Sequence, residues 1–88
     1  MAILAVHRSI SVNADTELLP DNPQRQYALI VNNGATDLYI ALGSEAAANR
    51  GIRVNNGGGS YEINATNLFK GRIRGYTGAA TNILVTEW

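Results

Sequence analysis

No stretch of this sequence sustains the 3.6-residue apolar period of a helix, whereas apolar and polar residues alternate with period two in one segment after another. Short alternating runs broken by Asn, Gly and Pro are the pattern of half-buried β-strands. From Ile3 to Val12 the chain begins apolar and then alternates, with Val6, Arg8, Ile10 and Val12 on one face and His7, Ser9 and Ser11 on the other. Asn13 to Pro23 is polar and carries Asp15, Glu17 and Asp21. Pro20 and Pro23 lack the backbone donor a central strand needs, so this segment predicts a connection, held to the core by Leu18 and Leu19.

Gln26 to Asn32 predicts a second strand, with Tyr27, Leu29 and Val31 on one side and Ala28 and Ile30 on the other. Asn33-Gly34 tolerates positive φ and predicts a tight hairpin turn. The return strand is Asp37 to Leu42, with Leu38, Ile40 and Leu42 facing one way and Tyr39 and Ala41 the other. Gly43 to Gly51 predicts a loop, with helix propensity enough for one turn at Glu45-Ala46-Ala47-Ala48. Ile52–Val54, Ser60–Asn64, Phe69–Tyr76 and Asn82–Trp88 complete the set, separated by turns at Asn55–Gly59 and Thr77–Ala80. About seven or eight short strands at this spacing predict an all-β fold, a small antiparallel β-sandwich of jelly-roll type.

The 88 residues make one domain, within which residues 1–21 form an N-terminal strand and polar loop with a possible anchoring or exchange role. So short a chain buries only roughly 60–65% of the surface that its unfolded form exposes. Without a cysteine it has no disulfide to compensate, so an oligomer interface would help it. Seven acidic residues balance seven basic ones. Phosphate backbones and anionic lipid both select a surplus of Lys and Arg, so neither nucleic acid nor a membrane surface is an expected partner. The apolar runs are too short to span a bilayer. Met1 to Ile10 lacks a basic run followed by an apolar core, so no signal peptide is expected and synthesis is placed in a cytoplasm.

Catalytic chemistry has little to work with. There is one histidine and no cysteine, so no catalytic, metal or cofactor site is expected, and an enzyme is the least favoured class. His7 lies beside Ser9 and Ser11, but no nucleophile elbow accompanies them, and an ordinary sheet histidine is the simpler reading. Gly57-Gly58-Gly59-Ser60 lacks the following Lys and helix of a phosphate loop and reads as a turn. Asp15, Glu17 and Asp21 do not have the spacing of a calcium loop and read as a solvated segment. Asn64-Ala65-Thr66 matches a glycosylation acceptor by chance if the chain stays in a cytoplasm.

Two features suggest protein contacts. Lys70, Arg72 and Arg74 alternate, so on a strand they share one face, either as a solvated stripe or as a basic surface for an acidic partner. Trp88 is costly to leave in water and either covers the core or fills a partner's pocket. These four residues are the protein-interface candidates.

From Asn22 onward, about three-quarters of the chain, the sequence resembles small structural proteins of tailed bacteriophages. The resemblance rests on Asn22-Pro23-Gln24-Arg25 before Tyr27–Val31, the turn Asn32-Asn33-Gly34, and the strand Asp37–Gly43. It continues with Gly51-Ile52-Arg53-Val54, a glycine-rich link to Ser60–Ile63, then Gly75-Tyr76 and Thr81–Val85 before a terminal aromatic. It implies a virion β-sandwich, most often a capsid decoration (cement) protein. Such a protein sits on the capsid surface, binds the major capsid protein and commonly forms trimers. Tail, baseplate and head-fibre components are similar, and a receptor- or glycan-binding module is an alternative use of Tyr27, Tyr39, Tyr61 and Tyr76. The family has no catalytic motif to carry over.

Overall fold

A computed structural model describes residues 5–88; the expected start of the first strand at Ile3 and Leu4 lies outside the described residues. The described chain is all-β and antiparallel, without helix. Its strands are β1 (Val6–Leu19), β2 (Ala28–Asn32), β3 (Leu38–Leu42), β4 (Ile52–Val54), β5 (Ser60–Ile63) and β6 (Ile73–Glu87). They form a single six-stranded sheet, nearly closed like a barrel, rather than seven or eight strands.

β6 is the axis. Along one edge it pairs with the whole of β1, from Val6 opposite Glu87 to Leu19 opposite Ile73. Along the other edge β2 pairs with Ala28 opposite Glu87 and Asn32 opposite Ile83, and β3 follows with Tyr39 opposite Tyr76 and Leu42 opposite Ile73. β2 and β3 therefore run end to end in the same direction beside one long strand. β4 and β5 return along their outer edge, β4 on β3 and β5 on β2.

This topology overturns three expectations. Asn33-Gly34 does not turn a hairpin, because β2 and β3 do not pair. Thr77–Ala80 does not separate two strands but lies within β6, and Asn13 onward does not leave the sheet but continues β1 to Leu19. The breaks are corners. At one, β6 sets three residues, 78–80, against Asn13 alone, and Ala14 takes φ 57°. The β2/β3 and β4/β5 breaks lie beside it, joined by hydrogen bonds from Asn33 N to Asn82 O (3.1 Å), Gly57 N to Gly34 O (3.0 Å) and Gly58 N to Asn32 O (2.8 Å). A Cβ on Gly34 would sit 2.3 Å from Thr81 Cγ2, so glycine lets two corners touch. Turn-forming residues permit a strand to bend as readily as to reverse, and bends of this kind let one strand serve two packed layers.

The bend brings two half-sheets onto one core. Val12, Ala28, Ile30, Ile63, Ile83 and Val85 come from one half, and Leu18, Leu19, Leu38, Ile40, Val54 and Ile73 from the other. Leu18 and Leu19 are buried as expected, though as strand residues. On β2 the buried side is Ala28, Ile30 and Asn32. Asn32 is fully buried and holds its corner: Nδ2 donates to Thr36 O (2.8 Å) and Val54 O (3.1 Å), and Oδ1 accepts from Gly34 N (3.1 Å). Glu45–Ala48 makes no helical turn and belongs to an open loop in which Asn49 takes φ 60°.

Candidate interaction face

The β2 segment and the end of β6 each turn alternate residues outward. Tyr27, Leu29 and Val31 come from one chain segment and Leu84, Thr86 and Trp88 from the other, with Leu29 opposite Thr86 and Val31 opposite Leu84. A sheet with one face on the core normally presents a polar outer face. Here Leu29 and Val31 are only half-buried and Leu84 is exposed. At the end of this stripe the rings of Tyr27 and Trp88 stack with centroids 4.3 Å apart and planes 18° from parallel. The backbone fixes the pair: Trp88 N donates to Tyr27 O (3.1 Å), and Gln26 N and Tyr27 N donate to Trp88 O (2.7 and 3.2 Å). The Tyr27 hydroxyl donates to Glu62, which holds that phenol above its ordinary range because the carboxylate acceptor favours the protonated form.

Beside the stack lies a groove of about 490 Å³ lined by Tyr27, Trp88, Leu68, Lys70, Gln24 and Asn64, among others. Trp88 is 41% exposed and Leu68 40% exposed, so neither is absorbed by the core.

What positions the groove is a buried ion pair next to both aromatic residues. Arg25 is fully buried and Glu87 is 5% exposed. Arg25 Nε donates to Glu87 Oε2 (2.9 Å), Nη1 to the carbonyls of Phe69 (2.9 Å) and Gly71 (3.0 Å), and Nη2 to Pro20 O (2.7 Å). Asn22 Nδ2 also donates to Glu87 Oε2 (3.3 Å), and Arg8 lies 3.8 Å from Oε1. One guanidinium thus ties two connections, β1 to β2 and β5 to β6, to the end of β6. The rigid fork of Arg suits this work better than a Lys point charge.

The four interface candidates divide. Lys70 and Trp88 meet in the groove. Arg72 and Arg74 lie elsewhere, and the expected strand from Phe69 begins only at Ile73, leaving Lys70 and Arg72 outside regular structure. Arg74 faces outward on β6 opposite Glu17 and its Nε donates to Asp15 Oδ1 (2.8 Å). That bond holds the Asp15 carboxyl below the usual range, helped by Ala46 N, and raises Arg74. Acids of the same chain therefore answer Arg74.

The other motifs are structural in this fold. His7 Nδ1 shares a hydrogen bond with Thr86 Oγ1 (2.9 Å), while Ser9 Oγ donates to Asn82 Oδ1 (2.6 Å), so histidine and serine have different partners. The Gly57 and Gly58 amides serve the corner, at φ +74° and +110°. Asn64 Oδ1 accepts from Thr66 N (2.9 Å) and Thr66 Oγ1 (2.6 Å), closing a local turn.

Sequence reading missed Arg25 and the partnership of Tyr27 with Trp88. The alternation of Tyr27, Leu29 and Val31 was visible, but not which side would face solvent. No family model, curated protein or solved structure matches this chain.

Proposed function

We propose that this chain is a non-enzymatic structural protein of a phage particle, a capsid decoration protein that binds the major capsid protein and stabilises the shell. The observation that supports it is the outer sheet face ending in the Tyr27–Trp88 stack, with Leu68 and Lys70 beside it. A rigid aromatic anchor within an apolar face and a polar rim is the composition of a protein-contact hot spot. The sandwich of jelly-roll type and homo-oligomeric state implied by the family resemblance belong to this reading. Each contact would be modest, and repetition over a shell multiplies it through avidity. The experiment is co-sedimentation with undecorated shells of the particle's own major capsid protein, comparing wild type with Trp88→Ala. Saturable binding that weakens at least about tenfold in the variant supports the reading, on the hot-spot scale for a buried Trp. No binding by the wild-type protein refutes it.

A second reading draws on the same groove. Gln24, Gln26 and Asn64 line it beside the exposed Trp88 ring, and an aromatic face with amide side chains suits a sugar. Quenching of Trp88 fluorescence by oligosaccharides, without shell binding, would favour a glycan-binding module of a fibre, tail or baseplate.

A further inference from the structure

Among the described residues the sheet has two open edges, and they are not alike. One is β4 and β5, only three and four residues long and interrupted by Asn55–Gly59. Short, broken strands protect an edge against pairing. The other is β1, which among the described residues pairs only with β6. Its second half is also protected: the bulge at Asn13 bends it away, Asp15 and Glu17 charge it, and the loop after β3 reaches it through Ala46 N donating to Asp15 Oδ1 (3.2 Å). Pro20 follows its end. Val6 to Val12 has none of these devices. It is a regular seven-residue edge with a single charge, Arg8, which lies 3.8 Å from Glu87.

This edge is also incompletely covered. Val6, Arg8, Ile10 and Val12 all point to the core side, since they pair with Glu87, Val85, Ile83 and Thr81. Val12 is fully buried, Ile10 half-buried and Val6 45% exposed. The opposite face carries only His7, Ser9 and Ser11, which are polar and exposed. A strand that fits here needs apolar residues on the core side and small polar ones outside, and that is the pattern of Val6–Val12 itself.

We propose that this edge pairs with the same segment of a second copy, antiparallel, about a two-fold axis at Ser9. In that register Val6 lies opposite the partner's Val12, Arg8 opposite the partner's Ile10 and His7 opposite the partner's Ser11. Core-side residues meet core-side residues because a register that preserves parity keeps each face together. Arg8 avoids the partner's Arg8 and keeps its own Glu87. The pairing joins two sheets into one and covers Val6 and Ile10. It is a two-fold contact, distinct from the three-fold association that the family resemblance implies, and it does not depend on the virion reading.

The absence of cysteine makes the test clean. Residues directly opposite across an antiparallel pair have Cβ atoms about 5 Å apart. Under mild oxidation Ser9→Cys should form a covalent dimer much faster than Thr66→Cys, an exposed site away from the edge. Ser9→Lys, which sets like charges opposite each other, should raise the dimer dissociation constant about fivefold, the upper end of such pair effects. Sedimentation velocity reads that shift, with circular dichroism to verify the fold. A wild-type protein that stays monomeric at 100 micromolar, the highest loading of the experiment, would overturn the proposal. So would a trimer indifferent to Ser9→Lys whose Ser9→Cys form cross-links no faster than the control.

Discussion

Replacing Arg25 by Met keeps much of the buried aliphatic stem and deletes the guanidinium. Four acceptors lose a donor: Glu87 Oε2 and the carbonyls of Pro20, Phe69 and Gly71. Removing one member of a buried ion pair costs about 3–5 kcal/mol. The low end applies, because Glu87 retains the Asn22 amide at 3.3 Å and Arg8 at 3.8 Å. The three carbonyls belong to part-exposed segments where water reaches a vacated site, adding about 0.5 kcal/mol each. The sum is about 4–5 kcal/mol, against a total of about 5–10 kcal/mol for a domain of this size. For so small a domain each kcal/mol moves Tm by about 4–8 °C, so Arg25→Met should lower it by at least about 15 °C. Urea unfolding followed by Trp88 fluorescence and by circular dichroism measures the loss. Arg25→Lys, which keeps the charge and loses the fork, should fall between. The decisive variant is the double replacement Arg25→Met with Glu87→Gln. Neutralising the stranded carboxylate should make the double variant more stable than the sum of the two single losses by about 1.5 kcal/mol or more, the coupling expected of contacting residues. A loss under about 1 kcal/mol in Arg25→Met, or strict additivity, would refute the clamp.

Three further outcomes follow from the corners and loops. Asn32→Ala removes two donated bonds and one accepted bond at a fully buried site, and chemical denaturation should show a loss of about 2–4 kcal/mol. Gly51→Ala places a Cβ 2.1 Å from Ile40 O at φ +84°, so the β3–β4 connection must shift, with a Tm fall corresponding to about 2 kcal/mol or more. Asp37 accepts from Asn56 N (3.0 Å) and Arg53 Nη2 (2.8 Å), which together hold its carboxyl below the usual range. A depressed native pKa means that the folded state binds the proton more weakly than the unfolded chain. Its contribution is therefore complete above about pH 4 and is lost as pH falls through the native pKa. The stability difference between wild type and Asp37→Asn should be flat from about pH 5 to 7 and shrink as the pH falls below about 4; a difference that stays constant down to pH 2 contradicts this.

The all-β class of this chain was legible from its residues alone. Period-two alternation marked the first half of β1, the whole of β2 to β5 and both ends of β6, because it is a local property of side-chain direction along an extended chain. It did not mark Asn13–Leu19 or Thr77–Ala80, whose polar and small residues read as a connection and a turn. Leu18 and Leu19 are buried as the expected core anchors, and Leu38 and Ile40, read as sharing one face, are buried together. Lys70 and Trp88 were singled out by chemistry alone and both border the groove. What the chain does at Asn33-Gly34, Gly57–Gly59 and Gly78 depends on long-range packing. These residues relax the backbone without saying whether it reverses or bends, and β6 is long enough for β2 and β3 to lie end to end along it. The side of β2 that meets the core was likewise undetermined, since Tyr27, Leu29 and Val31 are as apolar as Ala28 and Ile30. Arg25 and Arg74 show the same limit for charge. One is the buried centre of a clamp and the other is spent on Asp15. Each fate depends on a carboxylate at least 59 positions away in the chain, which only the sheet brings within reach.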